Sequence, residues 1–288
     1  MYQFPIGVIL ESFRKPIPEA VEEAAKLGAK GLQVYATRTR LAHEDMTPAQ
    51  RRDFLRMVKD HGLVFSALCG DLGKGFGNPD LNPALVEESK RILDIALEME
   101  TNIVTTHIGV VPQDSANPRY KIMQDACGEL AAYADSVGAD FAIETGPEPP
   151  EILRGFIDRC GEGVGVNLDP ANLVMVLGSD PVHAVDVLGD YVVHTHFKDG
   201  VHYQDCEPER VYDAFAAGGF EALQRETGEL FAETAPGTGS VDFPAYLAAL
   251  RRIGYDGYLT VEREAGKDSV ADVNSAAAFL KQLLKEGE

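Results

Sequence analysis

A chain of 288 residues is long enough for one large domain or two small ones and can bury well over half of the surface its unfolded form exposes. Its 26 Lys plus Arg against 46 Asp plus Glu give a formal charge of -20, which repels phosphate backbones and anionic membranes, so no nucleic acid and no membrane are expected as partners. Much of that acidity sits in stretches such as PALVEESK and EPERVYDAF, which read as solvated helix faces and say little about a substrate.

The opening MYQFPIGVILESFRKP has neither a basic n-region nor a small-residue cleavage site. No later apolar run approaches the ~18 residues of a membrane helix, so a cytoplasmic location is expected. FPIGVIL is the first expected strand, and PEAVEEAAKLG, ended by Gly28, the first helix. GLQVYAT follows as a strand, then TPAQRRDFLRMVKDHG as a helix with Thr47 as N-cap and Gly62 as terminator. VFSALCG and NIVTTHIG are the third and fourth strands, separated by the helix NPALVEESKRILDIALEME. After the helix DACGELAAYADSVG come the strand DFAIETG and the helix PEILRGFIDRC, then the strands GVGVNLD and YVVHTHFKD. A long irregular interval from Gly200 to Ser240, partly helical by pattern, reads as an insertion or lid. FPAYLAALRRIG and the strand GYLTVERE close the series. Cys69, Cys127, Cys160 and Cys206 fall far apart along it without a CxxC pair, which points to reduced thiols.

Eight strands with a helix between successive ones match an α/β fold, the closed parallel (β/α)8 TIM barrel, whose usual length is about 250 residues. An open doubly wound sheet fits less well, because LESFRKP stands where its Gly-rich phosphate turn would be. No linker divides the chain, so residues 1–288 are expected to form one domain with an insertion at about 200–240 after strand seven.

In such a barrel the chemistry lies at the C-terminal ends of the strands. Strand five ends in Glu144, strand six in Asp169, strand seven in His194 and His196, and strand eight in Glu262. Side-chain alternation puts His194, His196 and Lys198 on one face of strand seven and Thr195 and Phe197 on the other. On strand eight, Tyr258, Thr260, Glu262 and Glu264 share the polar face. Two Glu, one Asp and one His form an oxygen-rich set suited to Mn or Mg and compatible with Zn or Co. A divalent cation would also relieve the repulsion of three converging carboxylates. Taken singly, Asp169 before Pro170 reads equally well as a helix N-cap, and Glu144 or Glu262 as a solvated loop residue. Their arrival at one end of four adjacent strands favours the metal. His107, at the end of strand four, and Lys198 are further candidates for touching a substrate oxygen, with Glu11, Cys69 and Asp71 as weaker ones. With no Trp in the chain, Phe13, Tyr35 or Phe76 would supply any apolar platform.

AIETG, NLDPANL, HTHFKDG and the closing PGTGSVDFPAYLAALRRIGYDGYLTVERE together make the chain resemble the xylose isomerase-like TIM-barrel superfamily of sugar isomerases, epimerases and inosose dehydratases. The resemblance covers nearly the whole length. It implies Glu144, Asp169, His196 and Glu262 as ligands of one divalent metal, Glu144 and Glu262 as acid and base, and a sugar or cyclitol substrate. His194 would lie behind the metal or face the substrate. Asn172 stands where the ketose 3-epimerases carry a substrate-binding histidine, and Phe197-Lys198-Asp199 replaces their Gly-Glu. Both differences lean toward the inosose dehydratase-like and uncharacterised isomerase branches, and homo-oligomerisation is a further implication.

The expected reaction is isomerisation or epimerisation of a ketose or related polyol ketone through an enediolate, with dehydration on the same site as the alternative. An endonuclease IV-like phosphodiesterase would need several more metal-binding histidines and a basic face. Of the seven histidines here, His43, His61, His183 and His202 read as helix or loop residues. A non-catalytic barrel that merely holds the metal is the remaining alternative.

Overall fold

A computed structural model of the chain describes residues 4–37 and 46–286. Among the described residues ten strands form: β1 (Ile6–Ile9), β2 (Gly31–Tyr35), β3 (Val64–Cys69), β4 (Ile103–Thr106), β5 (Asp140–Glu144), β6 (Val164–Leu168), β7 (Val192–Phe197), β8 (Asp199–His202), β9 (Phe231–Thr234) and β10 (Leu259–Val261). All but β8 and β9 pair in parallel and close into a barrel in which β10 lies between β7 and β1. Each barrel strand falls within one of the eight apolar runs of the sequence. Such strands are covered on both faces, which is why they read as nearly continuous apolar segments.

The helices start and stop where local chemistry requires. Thr47 and Gln50 form a reciprocal capping box at the helix Pro48–Asp60. The helix Ile17–Leu27 ends at Gly28, whose φ of 81° is the left-handed turn that glycine makes without strain. Outward-facing strand residues pack on the helical layer: Phe197 of β7 lies 4.3 Å, centroid to centroid, from Phe243, itself 5.9 Å from Phe279. Inside, the barrel narrows at Gly7 of β1, where a Cβ would lie 2.5 Å from Thr260 Oγ1.

After β7 the insertion differs from its expected irregular form. β8 and β9 are an antiparallel hairpin, and between them the helices Pro208–Ala216 and Phe220–Thr227 pack on a small core of Val211, Leu223 and Leu230. His202, read from sequence as a helix or loop residue, ends β8; His61 and His183 are helical or flank a helix, and His43 lies outside the described residues. The hairpin is tied to the barrel by one carboxylate. Asp199 Oδ1 accepts the N–H groups of Gly200 and Val241, and Oδ2 those of Gly237 and Gly239, at 2.8 to 3.1 Å. This explains the PGTG stretch, since a side chain at Gly239 would overlap the Asp199 carboxylate. Arg263, just past β10, forms an ion pair with Glu233 of β9. The connection after β6 also holds two helices, Pro170–Leu177 and Pro181–Leu188, that periodicity did not separate. Among the described residues no helix is long and apolar enough to cross a membrane, and the four cysteines are unpaired.

Candidate metal centre

Alternation places side chains of β7 and β10 in successive rungs inside the barrel. Deepest, His194 Nε2 accepts from Thr260 Oγ1 at 3.1 Å; one rung up, His196 Nδ1 lies 2.9 Å from Glu262 Oε2; at the mouth, Lys198 Nζ lies 3.1 Å from Glu264 Oε2. Glu144 and Asp169 enter the middle rung from the ends of β5 and β6. Glu144, Asp169, His196 and Glu262 are all buried and each offers a ligand atom within 4.8 Å of the others. His196 Nδ1 is the hub, 3.1 Å from Asp169 Oδ2 and 3.6 Å from Glu144 Oε1.

Asp169 resolves the choice posed by its sequence by filling both roles. Its Oδ1 caps the helix Pro170–Leu177 by accepting the N–H of Asn172 at 2.9 Å, which leaves Oδ2 facing the cluster. Asn172 Nδ2 donates to Glu144 Oε1 at 3.1 Å, so the same residue orients two carboxylates.

Two polar residues set in apolar strands, Gln33 of β2 and Asn167 of β6, fix the imidazoles, and neither was singled out from sequence. The Gln33 amide donates to Thr105 Oγ1 at 3.0 Å, which turns its oxygen toward His196 Nε2 at 2.9 Å. His196 therefore carries its proton on Nε2 when Nδ1 serves as a ligand. Asn167 Nδ2 donates to Glu144 Oε2 at 3.2 Å, and its oxygen accepts from His194 Nδ1 at 2.9 Å. With both ring nitrogens engaged and 1% exposure, His194 stands behind the cluster, one of the two places the resemblance allowed it.

Burial pushes the Glu144 carboxyl above the usual range, opposed by His107 and His196. Against the same cost of burial, Lys198 and His196 hold Asp169 and Glu262 below it. Burial, and the neighbouring His196, drive His194 well below the ordinary imidazole value, so it is neutral. His196 and Lys198 resist burial because the carboxylates, Glu262 first, keep both protonated. The Lys198 ammonium lies 3.2 Å from Glu262 Oε2 and 4.0 Å from Asp169 Oδ2.

These residues fit a divalent cation. Glu262 Oε2 is buried without a hydrogen bond despite its closeness to His196, and three carboxylates meet one imidazole whose second nitrogen is already paired. At the rim, His107 is 30% exposed, with Nε2 3.7 Å from Glu144 Oε1 and Nδ1 3.7 Å from Asp71 Oδ2. Tyr212, from the insertion, lies over it at a ring separation of 5.8 Å, and nothing in the sequence marked that residue. Phe13 and Phe76 are core residues, 0% and 3% exposed, and supply no platform; Tyr35 lines a cavity beside Glu262.

Comparison with known proteins identifies the family and the fold. Residues 21–283 match the family described as xylose isomerase-like TIM barrel. An uncharacterised protein of Methanocaldococcus jannaschii is 24% identical over 229 residues, 72% of this chain and 66% of that protein. Inosose dehydratase of Lacticaseibacillus casei is 32% identical over 114 residues, 40% of this chain and 35% of the dehydratase. The matched stretches thus span less than two thirds of these curated relatives. Among solved structures, a xylose isomerase domain protein from Planctomyces limnophilus superposes with a TM-score of 0.77 at 26% identity, covering 99% of this chain and 98% of that one. D-psicose 3-epimerase in the presence of D-fructose shares the fold, with a TM-score of 0.70 at 17% identity over 99% of this chain and all of that one (100%).

Proposed function

The chain belongs to the xylose isomerase-like TIM-barrel family, and from that premise we propose that it is a divalent-metal-dependent sugar isomerase or epimerase acting on a ketose or related polyol ketone. The observation that carries this reading is the convergence of Glu144, Asp169, His196 and Glu262 within 4.8 Å. Bound to them, a divalent cation would polarise the carbonyl and acidify the adjacent C–H. Glu144 and Glu262 reach the cluster from β5 and β10, separated around the barrel by β6 and β7, and so serve as proton acceptor and donor on the two faces of the substrate. Asn172 holds Glu144 Oε1 in place, and His107 and Lys198 present N–H groups to substrate oxygens at the rim. Buried beneath the insertion, the site keeps bulk water from the deprotonated substrate.

Dehydration is the second reading, favoured by the inosose dehydratase likeness and by the Lys198 ammonium 3.2 Å from Glu262, which can return a proton to a departing hydroxyl. The test is metal analysis of purified protein, followed by ketoses and inososes in D2O scored by NMR. An isomerase or epimerase exchanges a carbon-bound proton and conserves the carbon skeleton's hydroxyl count; a dehydratase loses water and yields an enone-type ultraviolet band. Glu144→Gln and Glu262→Gln should each abolish exchange, and full activity in both refutes the assignment. A barrel that only stores the metal exchanges nothing.

A further inference from the structure

Two carboxylate oxygens of the cluster face two partners at once. Glu262 Oε2 lies 2.9 Å from His196 Nδ1 and 3.2 Å from Lys198 Nζ, and Asp169 Oδ2 lies 3.1 Å from the imidazole and 4.0 Å from the ammonium. On the side of the mouth, Lys198 Nζ donates to Glu264 Oε2 at 3.1 Å. Lys198 is only 4% exposed, so packing fixes where its ammonium stands. Carboxylate oxygens shared between neighbouring cations are the arrangement of two-metal centres, whose ions stand roughly 3.5–4 Å apart. Here one of the two positions lies against His196, and the other already holds an ammonium.

We propose that Lys198 occupies the place of a second cation and so holds the centre to a single divalent ion. This rests on the metal reading above, and adds to it the residue that sets the number of ions. The charges balance. Glu144, Asp169 and Glu262 bring three negative charges, and one divalent ion with the Lys198 ammonium brings three positive ones, His196 being neutral once Nδ1 is a ligand. A second divalent ion would have to enter against the fixed charge of Lys198, in a buried pocket where repulsion is little screened. The occupant also matters for the chemistry. An ammonium carries protons that a metal ion lacks, so this position can donate to a substrate oxygen as well as neutralise a carboxylate. With Lys198 removed, oxygens of Asp169, Glu262 and Glu264 surround the space that Nζ held, an oxygen-rich set that a hard divalent ion accepts.

The experiment counts Mn2+ bound to the full chain by calorimetric titration after metal stripping, and looks for spin coupling between neighbouring ions by electron paramagnetic resonance. The wild type should bind one ion per chain and give an uncoupled spectrum. Lys198→Ala, which removes both the charge and the bulk, should bind two ions and show the coupled signal of a bridged pair. Lys198→Met removes the charge and fills the space, so it should still bind one ion, roughly 10-fold more tightly than the wild type because the repulsion is gone. Circular dichroism checks that each barrel is intact, and Lys198→Met carries the test by itself if Lys198→Ala does not fold. Two ions in the wild type or in Lys198→Met, one ion in Lys198→Ala, or no gain in affinity in Lys198→Met overturns the role of Lys198 and leaves the proposed function standing. A wild type that binds no divalent ion overturns the metal centre, and the proposed function and the role of Lys198 fall with it.

Discussion

Glu148 is a carboxyl buried with almost no compensating partner. It is 3% exposed, its Oε2 accepts only the N–H of Val111 at 3.4 Å, and its Oε1 has no hydrogen-bond partner. Burial pushes its carboxyl from an ordinary 4.5 up to about 8. Because the folded value is the higher one, the folded chain holds the proton more tightly than the unfolded chain. The associated stability is fully present below pH 4.5 and is lost as pH rises through about 8. At ~1.36 kcal/mol per pH unit the loss is on the order of 5 kcal/mol. Glu148→Gln has no charge to bury, so it should match the wild type near pH 4.5 and exceed it by that amount above pH 8. Urea denaturation of both proteins with EDTA present, at several pH values from 4.5 to 9, reads the difference directly, because titrations common to both cancel. A Tm gain of roughly 10 °C at pH 9 is expected. A variant-minus-wild-type difference that stays flat across this range would refute the reasoning.

Gln33→Leu removes the acceptor that fixes His196 and should weaken Mn2+ binding roughly 10- to 100-fold by calorimetry, with the barrel intact by circular dichroism. Ligation by His196 Nδ1 displaces a proton that the surrounding carboxylates hold there well above the ordinary imidazole value. Metal affinity should therefore fall on acidification, and binding at pH 7 should release protons, measured as a dependence of calorimetric enthalpy on buffer ionisation. Asp199→Ala strips four backbone N–H groups of their acceptor and should cost roughly 2–4 kcal/mol, with new proteolytic cuts confined to residues 200–240. Asp199→Asn, keeping one oxygen, should fall between.

The barrel was legible because each strand contacts the next through an apolar run with its own turn residues, so local pattern and topology coincide. The convergence of Glu144, Asp169, His196 and Glu262 was legible for a similar reason: alternation alone assigns His194, His196 and Lys198 to one face, and strand order does the rest. What alternation lacks is depth. It could not tell that His194 lies a rung below His196, because both occupy the same face and only the stagger against β10 separates them. Gln33 and Asn167 were passed over because one amide within an apolar strand is equally consistent with a packed core residue; their partners come from 163 and 27 residues away. Tyr212 could not be placed at all, since its position over His107 depends on how the insertion folds back. β8 and β9 have partly exposed patterns and lack the continuous apolar run that marked the barrel strands.

The Asp199 clamp makes the chain after β7 separable from what lies before it. One carboxylate, three residues beyond His196, gathers both ends of the excursion, so the polypeptide between Gly200 and Gly237 leaves and returns at a single stapled point. Its length and sequence can then drift, or be exchanged for another segment that brings back the same glycine amides, without moving the imidazole. The roof over the cluster is free to change while the floor keeps its three carboxylates and its imidazole.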